Sequence, residues 1–165
     1  MKSSLLMFFL FSIPSIIIAL CMDGDFYHDG FCYNVPVFNG TEGLTHSDAQ
    51  AYCSSIGATL RVFRGTPGFK SKQEDFVVLM LIRVFGKGFS WIGLTHPGKW
   101  DDGTNVYYTN WNLGYPKNLS HCVIEWYNYE KSNEGFWRDD HACDSKATFF
   151  CQYLSNRVTR IPVSI

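Results

Sequence analysis

Apolar and polar positions divide the chain into stretches of different texture. Residues 5–19 form an apolar run, preceded by Lys2 and broken only by Ser12, Pro14 and Ser15. Over residues 25–38 the aromatics Phe26, Tyr27, Phe31, Tyr33 and Phe38 are punctuated by Gly30 and Pro36, which predicts short strands or a hairpin. Thr45 and Asp48 have capping-box spacing, Ala49, Cys53 and Ile56 share one helical face, and Gly57 is a fitting stop, so a helix is predicted from Thr45. A second helix is predicted from Ser71, which is paired in spacing with Glu74. Its stripe of Phe76, Val77, Met80, Leu81 and Val84 runs to Gly86 and reads as core packing. Beyond Gly88 come short β-like runs rich in aromatics, separated by Pro97-Gly98, Asp102-Gly103, Gly114 and Asn133-Glu134-Gly135. Two helices followed by a strand-rich, loop-rich half is an α+β arrangement.

The first run reads as an export signal over residues 1–19, cleaved after Ala19 or Leu20. It is short of the roughly 20 apolar residues of a membrane span, and a polar, cysteine-bearing segment begins at Cys21. An uncleaved anchor is disfavoured by Pro14 and the two serines, and no basic cluster follows. The remainder suits one domain over residues 21–153 with a short tail over 154–165, and the expectation is a secreted, extracellular protein without membrane insertion. Charge is nearly balanced, 14 basic against 15 acidic residues, which argues against nucleic acid as a partner. All six cysteines lie beyond the leader, and an even count in an exported chain predicts disulfides rather than metal ligands. Their spacing leaves the pairing open.

The second half carries an ordered frame. Trp91-Ile92-Gly93-Leu94 is followed by Trp100-Asp101-Asp102-Gly103, then by Asn110-Trp111-Asn112-Leu113-Gly114-Tyr115-Pro116. Cys122-Val123-Ile124-Glu125-Trp126, Gly135-Phe136-Trp137-Arg138-Asp139, Cys143 and Phe149-Phe150-Cys151 complete it. In that order these pieces resemble the C-type lectin-like domain, over nearly all of the chain from Cys21 to Cys151. The resemblance implies that family's fold: two helices, short antiparallel strands and a long loop region. It also implies disulfides Cys21 to Cys32, Cys53 to Cys151 and Cys122 to Cys143. In the chain-entropy treatment, the second would stabilise by roughly 4 to 5 kcal/mol and the third by about 3 kcal/mol.

Sugar-binding members of that family hold calcium with a Glu-Pro-Asn or Gln-Pro-Asp tripeptide, a carboxylate before the next cysteine, and an Asn-Asp pair. Here the corresponding positions read Tyr115-Pro116-Lys117, Ser120 and Arg138-Asp139, so Asp139 is the only retained ligand position. Calcium takes six to eight oxygen ligands, and the two cations would repel it. The resemblance with these departures implies no cofactor; calcium in a rearranged site, with Asp101, Asp102 or Asp140 joining, is the alternative. Asn118-Leu119-Ser120 in the same loop and Asn39-Gly40-Thr41 are N-glycosylation acceptors.

His121, Asp139, Asp140 and His141 are candidates for a zinc site or an acid/base pair, but loop polarity is the better account of them. No nucleophile elbow or phosphate-binding glycine loop is present, so catalysis has no support. Arg61, Arg64, Lys70 and Lys72 form a loose basic cluster whose default is solvated surface. Trp126 and Tyr127, with Tyr115 and Lys117, are the candidate binding residues, Tyr127 being placed in a turn after the strand. The resulting expectation is calcium-independent recognition of a glycan or protein ligand by the long loop, in a setting of innate defence. Calcium-dependent carbohydrate binding and a structural or inhibitory partner subunit are the alternatives, and the oligomeric state is left open.

Overall fold

Asp29 and Gly30 both take positive φ, 47° and 87°, as in the two-residue turns whose twist matches that of the strands they join. They connect β2 (Phe26–His28) to β3 (Phe31–Asn34), with His28 opposite Phe31. The aromatic segment is therefore the hairpin its spacing predicts, stapled by Cys21–Cys32.

The computed structural model describes residues 18–36, 43–63, 87–95, 98–128 and 135–158. The predicted second helix, Asn39, residues 1–17 of the expected leader and residues 159–165 of the tail lie outside the described residues. A strand β1 (Ile18–Leu20) pairs antiparallel with β11 (Asn156–Val158). It falls at the expected cleavage point, so cleavage after Ala19 would remove all of it but Leu20, and cleavage after Leu20 the whole strand.

The first helix, α1 (His46–Ser55), starts where the capping pattern places it. Thr45 Oγ1 accepts from the Asp48 N–H at 3.3 Å and donates to Asp48 Oδ2 at 2.7 Å. Ala49 and Cys53 are fully buried, and Cys53 bonds to Cys151 on β10 (Cys151–Leu154). That strand lies between β3 and β4 (Thr59–Leu60), giving the sheet order β2-β3-β10-β4.

A second sheet has the order β6-β5-β7-β8: β6 (Lys99–Trp100), β5 (Lys87–Thr95), β7 (Cys122–Asn128) and β8 (Phe136–Arg138). Strand β9 (Thr148–Phe149) pairs parallel with β5. In the β5–β7 register Trp91 faces Ile124 and Ile92 faces Val123. Successive side chains point to opposite faces, so the two strands feed two cores. Trp91 and Ile124 join Ala49, Cys53, Leu60 and Phe149 against the helix. Ile92 and Val123 join Phe63, Trp100, Tyr108 and Trp137 on the other side. Gly93 lets the Leu60–Arg61 backbone come close: its N–H donates to the Arg61 carbonyl at 2.8 Å, and a Cβ there would lie 2.8 Å from the Leu60 carbonyl oxygen.

Arg61 corrects the expectation of solvated surface. It is 1 % exposed, pairs with the fully buried Glu125 of β7, and lies over the Phe63 ring at 4.4 Å. Its position next to Leu60 on the chain carries it under the second sheet, where Glu125 is the one carboxylate that β7 supplies.

Candidate functional site

Between β6 and β7 the chain runs as a long loop, and β8 anchors it. The Trp137 N–H donates to the Asn110 carbonyl at 2.8 Å, and the Asn112 N–H donates to the Trp137 carbonyl at 3.0 Å. Asn110 Nδ2 reaches the Gly135 carbonyl at 2.7 Å, and the Trp111 and Trp137 rings meet edge-on at 5.8 Å. The two residues after β8, Asp139 and Asp140, therefore emerge beside the loop.

Asp139 is fully buried, and its carboxylate closes the loop. Oδ1 accepts the Lys117 N–H at 2.8 Å and Oδ2 accepts the Asn118 N–H at 2.6 Å. Two backbone donors on one carboxylate are charge-assisted bonds, the stronger kind. Asp140 organises the neighbouring surface. It receives Arg138 Nε at 3.0 Å, Arg138 Nη2 at 2.6 Å and the Tyr115 hydroxyl at 2.5 Å. Lys117 Nζ donates to the Tyr115 hydroxyl oxygen at 3.2 Å and lies 4.4 Å from the ring centre, while the Arg138 guanidinium lies 5.2 Å from it. Two cations thus lie within reach of the Tyr115 ring, a proximity its quadrupole favours. Burial pushes the Asp140 carboxyl up, but the bonds from Arg138 and Tyr115 and the charges of Arg138 and Lys117 outweigh it and leave it below its ordinary value. The Arg138 guanidinium is raised, first by its bond to Asp140.

At the loop's exit the Cys122 N–H donates to Ser120 Oγ at 3.1 Å, and Ser120 Oγ lies 3.3 Å from Cys143 Sγ, which is bonded to Cys122. A disulfide sulfur carries no proton, so the hydroxyl is the donor. On the outer side of the loop Leu113 is 97 % exposed and Leu119 69 % exposed.

A family model described as "Lectin C-type domain" matches residues 42–153. The chain belongs to the C-type lectin domain family. It is 32% identical over 145 residues to "C-type lectin lectoxin-Lio1" of Erythrolamprus poecilogyrus, covering 80% of this chain and 79% of that protein. It is 29% identical over 140 residues to one subunit of the "Snaclec coagulation factor IX/factor X-binding protein" of Gloydius halys, covering 81% and 82%. Among solved structures it is similar to the "Ca2+-independent C-type lectin SPL-2 from Saxidomus purpuratus", with TM-score 0.64 at 25% identity, covering 79% of this chain and 91% of that one. The three disulfides are those the C-type lectin resemblance implied.

At the positions that resemblance assigns to calcium, the side chains are committed elsewhere. Asp139 spends both oxygens on the loop backbone, Ser120 caps the Cys122 amide, and Lys117 and Arg138 bring positive charge. This donor set does not fit an ion that takes six to eight oxygens. Among the described residues no group of three or more His, Cys, Asp or Glu side chains is arranged to hold a metal. His121 is exposed, whereas His141 packs on the Phe89 and Trp91 rings at 5.2 and 5.4 Å. Asp101 instead accepts from Gln50 Nε2 at 2.9 Å.

The candidate binding residues separate. Tyr115 and Lys117 come together, joined by Arg138 and Asp140, neither of which sequence reasoning places among the ligand-binding candidates. Tyr127 must be corrected: it lies in β7 rather than in a turn, is 1 % exposed, and its hydroxyl bonds to Thr148 Oγ1 at 3.1 Å. Its place on β7, two residues beyond Glu125, turns it inward with the same parity. Trp126 is half-buried, opposite Phe89 and Phe136 in the register. Leu113 and Leu119 are a further addition to the predicted surface, and the signal for them is local: each is an apolar residue flanked by Asn and by Gly or Ser.

Proposed function

We propose that this C-type lectin domain protein is exported and acts in recognition, binding a glycan or protein ligand through the Tyr115–Lys117 surface without a bridging calcium ion. The observation that carries this reading is Asp139: its carboxylate holds the backbone of Lys117 and Asn118, the work an ion would otherwise do in fixing the loop. Three disulfides agree with an oxidising compartment. No helix among the described residues is long and apolar enough to cross a membrane. Defence against microbes is the setting that the family resemblance alone implies.

The test is binding of the secreted, oxidised protein to a glycan array with and without chelator. Chelator-insensitive binding is expected, weakened about tenfold or more in Lys117→Gln, as loss of a charged hydrogen-bond donor implies. Chelator-sensitive binding to mannose-type or galactose-type sugars would sink it. A second reading, a partner subunit, is favoured by the exposed Leu113 and Leu119 and by the snaclec subunit among the relatives. An array without binding in either buffer, together with crosslinks from positions 113 and 119 to another protein, would establish that reading instead.

A further inference from the structure

The glycan acceptor Asn118-Leu119-Ser120 occupies the same loop, and its geometry bears on when it can be used. Asn118 is exposed but sits in the left-handed region at φ 58°, with its N–H tied to Asp139 Oδ2 at 2.6 Å. The Ser120 hydroxyl is used twice: it accepts the Cys122 N–H at 3.1 Å and donates toward Cys143 Sγ at 3.3 Å. An acceptor triplet is recognised through its asparagine amide and the hydroxyl two residues on. In the folded chain that hydroxyl is bound to the Cys122–Cys143 bridge, and the backbone between the two groups is pinned at Asn118.

We infer that glycan addition at Asn118 competes with closure of the Cys122–Cys143 disulfide, so that the order of the two events decides whether the binding loop carries a glycan. Before closure, Ser120 is free and the triplet can extend. Asn118 Nδ2 then loses a proton and bonds to the anomeric carbon of a lipid-pyrophosphate-linked oligosaccharide, while the bond from that carbon to the pyrophosphate breaks and the lipid pyrophosphate leaves with the electron pair and takes up the proton. After closure the hydroxyl is occupied and transfer stops. Because Asn118 adjoins Lys117, the glycan stands beside the Tyr115–Lys117 surface, and the two products are a covered and an open form. The consequence for binding rests on the proposed recognition site; the competition itself does not.

The experiment expresses the full chain in secretory cells and reads occupancy at Asn118 by glycopeptide mass spectrometry on total chains, secreted and retained. The wild type is expected to be mixed at Asn118. The double variant Cys122→Ser/Cys143→Ser should raise occupancy at least twofold. Cys21→Ser/Cys32→Ser, which removes another bridge and leaves Ser120 engaged, should not. Equal occupancy in all three, an equal rise in both variants, or no glycan at Asn118 in any of them overturns the inference. Occupancy is measured without a ligand, so failure of both glycoforms to bind would count against the recognition reading alone.

Discussion

Substituting Asp139→Ala should loosen the binding loop by removing its internal clamp. The carboxylate is fully buried and accepts two backbone N–H groups, at 2.8 and 2.6 Å. Hydrogen bonds to charged groups contribute about 1.5 to 3 kcal/mol each. Lys117 and Asn118 are exposed residues, and their released amides can turn to water, so the low end applies and the pair is worth about 3 kcal/mol. Part of that is local, because a loop can open without the core unfolding. Two measurements are therefore needed. Denaturant unfolding of the oxidised protein should show a loss of about 1 to 3 kcal/mol, and amide exchange at Lys117 and Asn118 should lose protection by more than any site in β5 or β7. Millimolar calcium should leave the wild-type midpoint unmoved, since a ligand that binds only the native state would raise it. An Asp139→Ala protein with unchanged midpoint and unchanged exchange would refute the clamp. A calcium-induced rise abolished by the same substitution would refute it more directly, by making Asp139 a metal ligand.

Three further outcomes follow from buried groups. Breaking the Arg61–Glu125 pair with Glu125→Leu should cost about 3 to 5 kcal/mol, and adding Arg61→Met should restore most of it, because the single change strands a buried charge; a double-mutant cycle in denaturant with no coupling would count against this. Tyr127→Phe should lose about 1 kcal/mol with its bond to Thr148 and leave array binding as in the wild type; loss of binding would place Tyr127 back at the ligand surface. For pH, burial holds the His46 imidazole below its ordinary value against the Asp101 charge and the Ile92 hydrogen bond. The unfolded chain then binds more protons, so stability present above 6.5 is lost as pH falls through the lowered folded value. Burial lowers His141 as well, with the same sign, whereas Asp101, raised by burial, has the opposite sign and contributes stability that is lost as pH rises above 3.8 through its folded value. Thermal midpoints between pH 7.5 and 5.5 should therefore fall less in His46→Gln than in the wild type, and equal slopes would remove His46 as the cause.

Features fixed by local chemistry were legible in the chain. The capping residues Thr45 and Asp48 and the aromatic hairpin punctuated by Gly30 each depend on neighbours a few positions away. The site was legible only in part. Tyr115 and Lys117 lie two residues apart and could be placed together, but the groups that complete their cluster, Arg138 at the end of β8 and Asp140 just after it, arrive more than twenty positions later. Tyr127 escapes local reasoning because a Trp-Tyr-Asn-Tyr run has the composition of a turn, and only its pairing opposite Gly88 reveals a strand. Arg61 escapes it for a related reason, since an arginine in a loose basic cluster gives no sign of a carboxylate waiting in the core.

By itself, then, the sequence determined the family and the disulfide-bonded character, since these depend on which side chains are present and in what order. Only the tertiary structure decided what Asp139 does. A lone aspartate has the same composition whether it binds an ion or a backbone, and the choice is made by what lies within hydrogen-bond reach: here, the amides of Lys117 and Asn118, brought there because Trp137 ties the loop to β8.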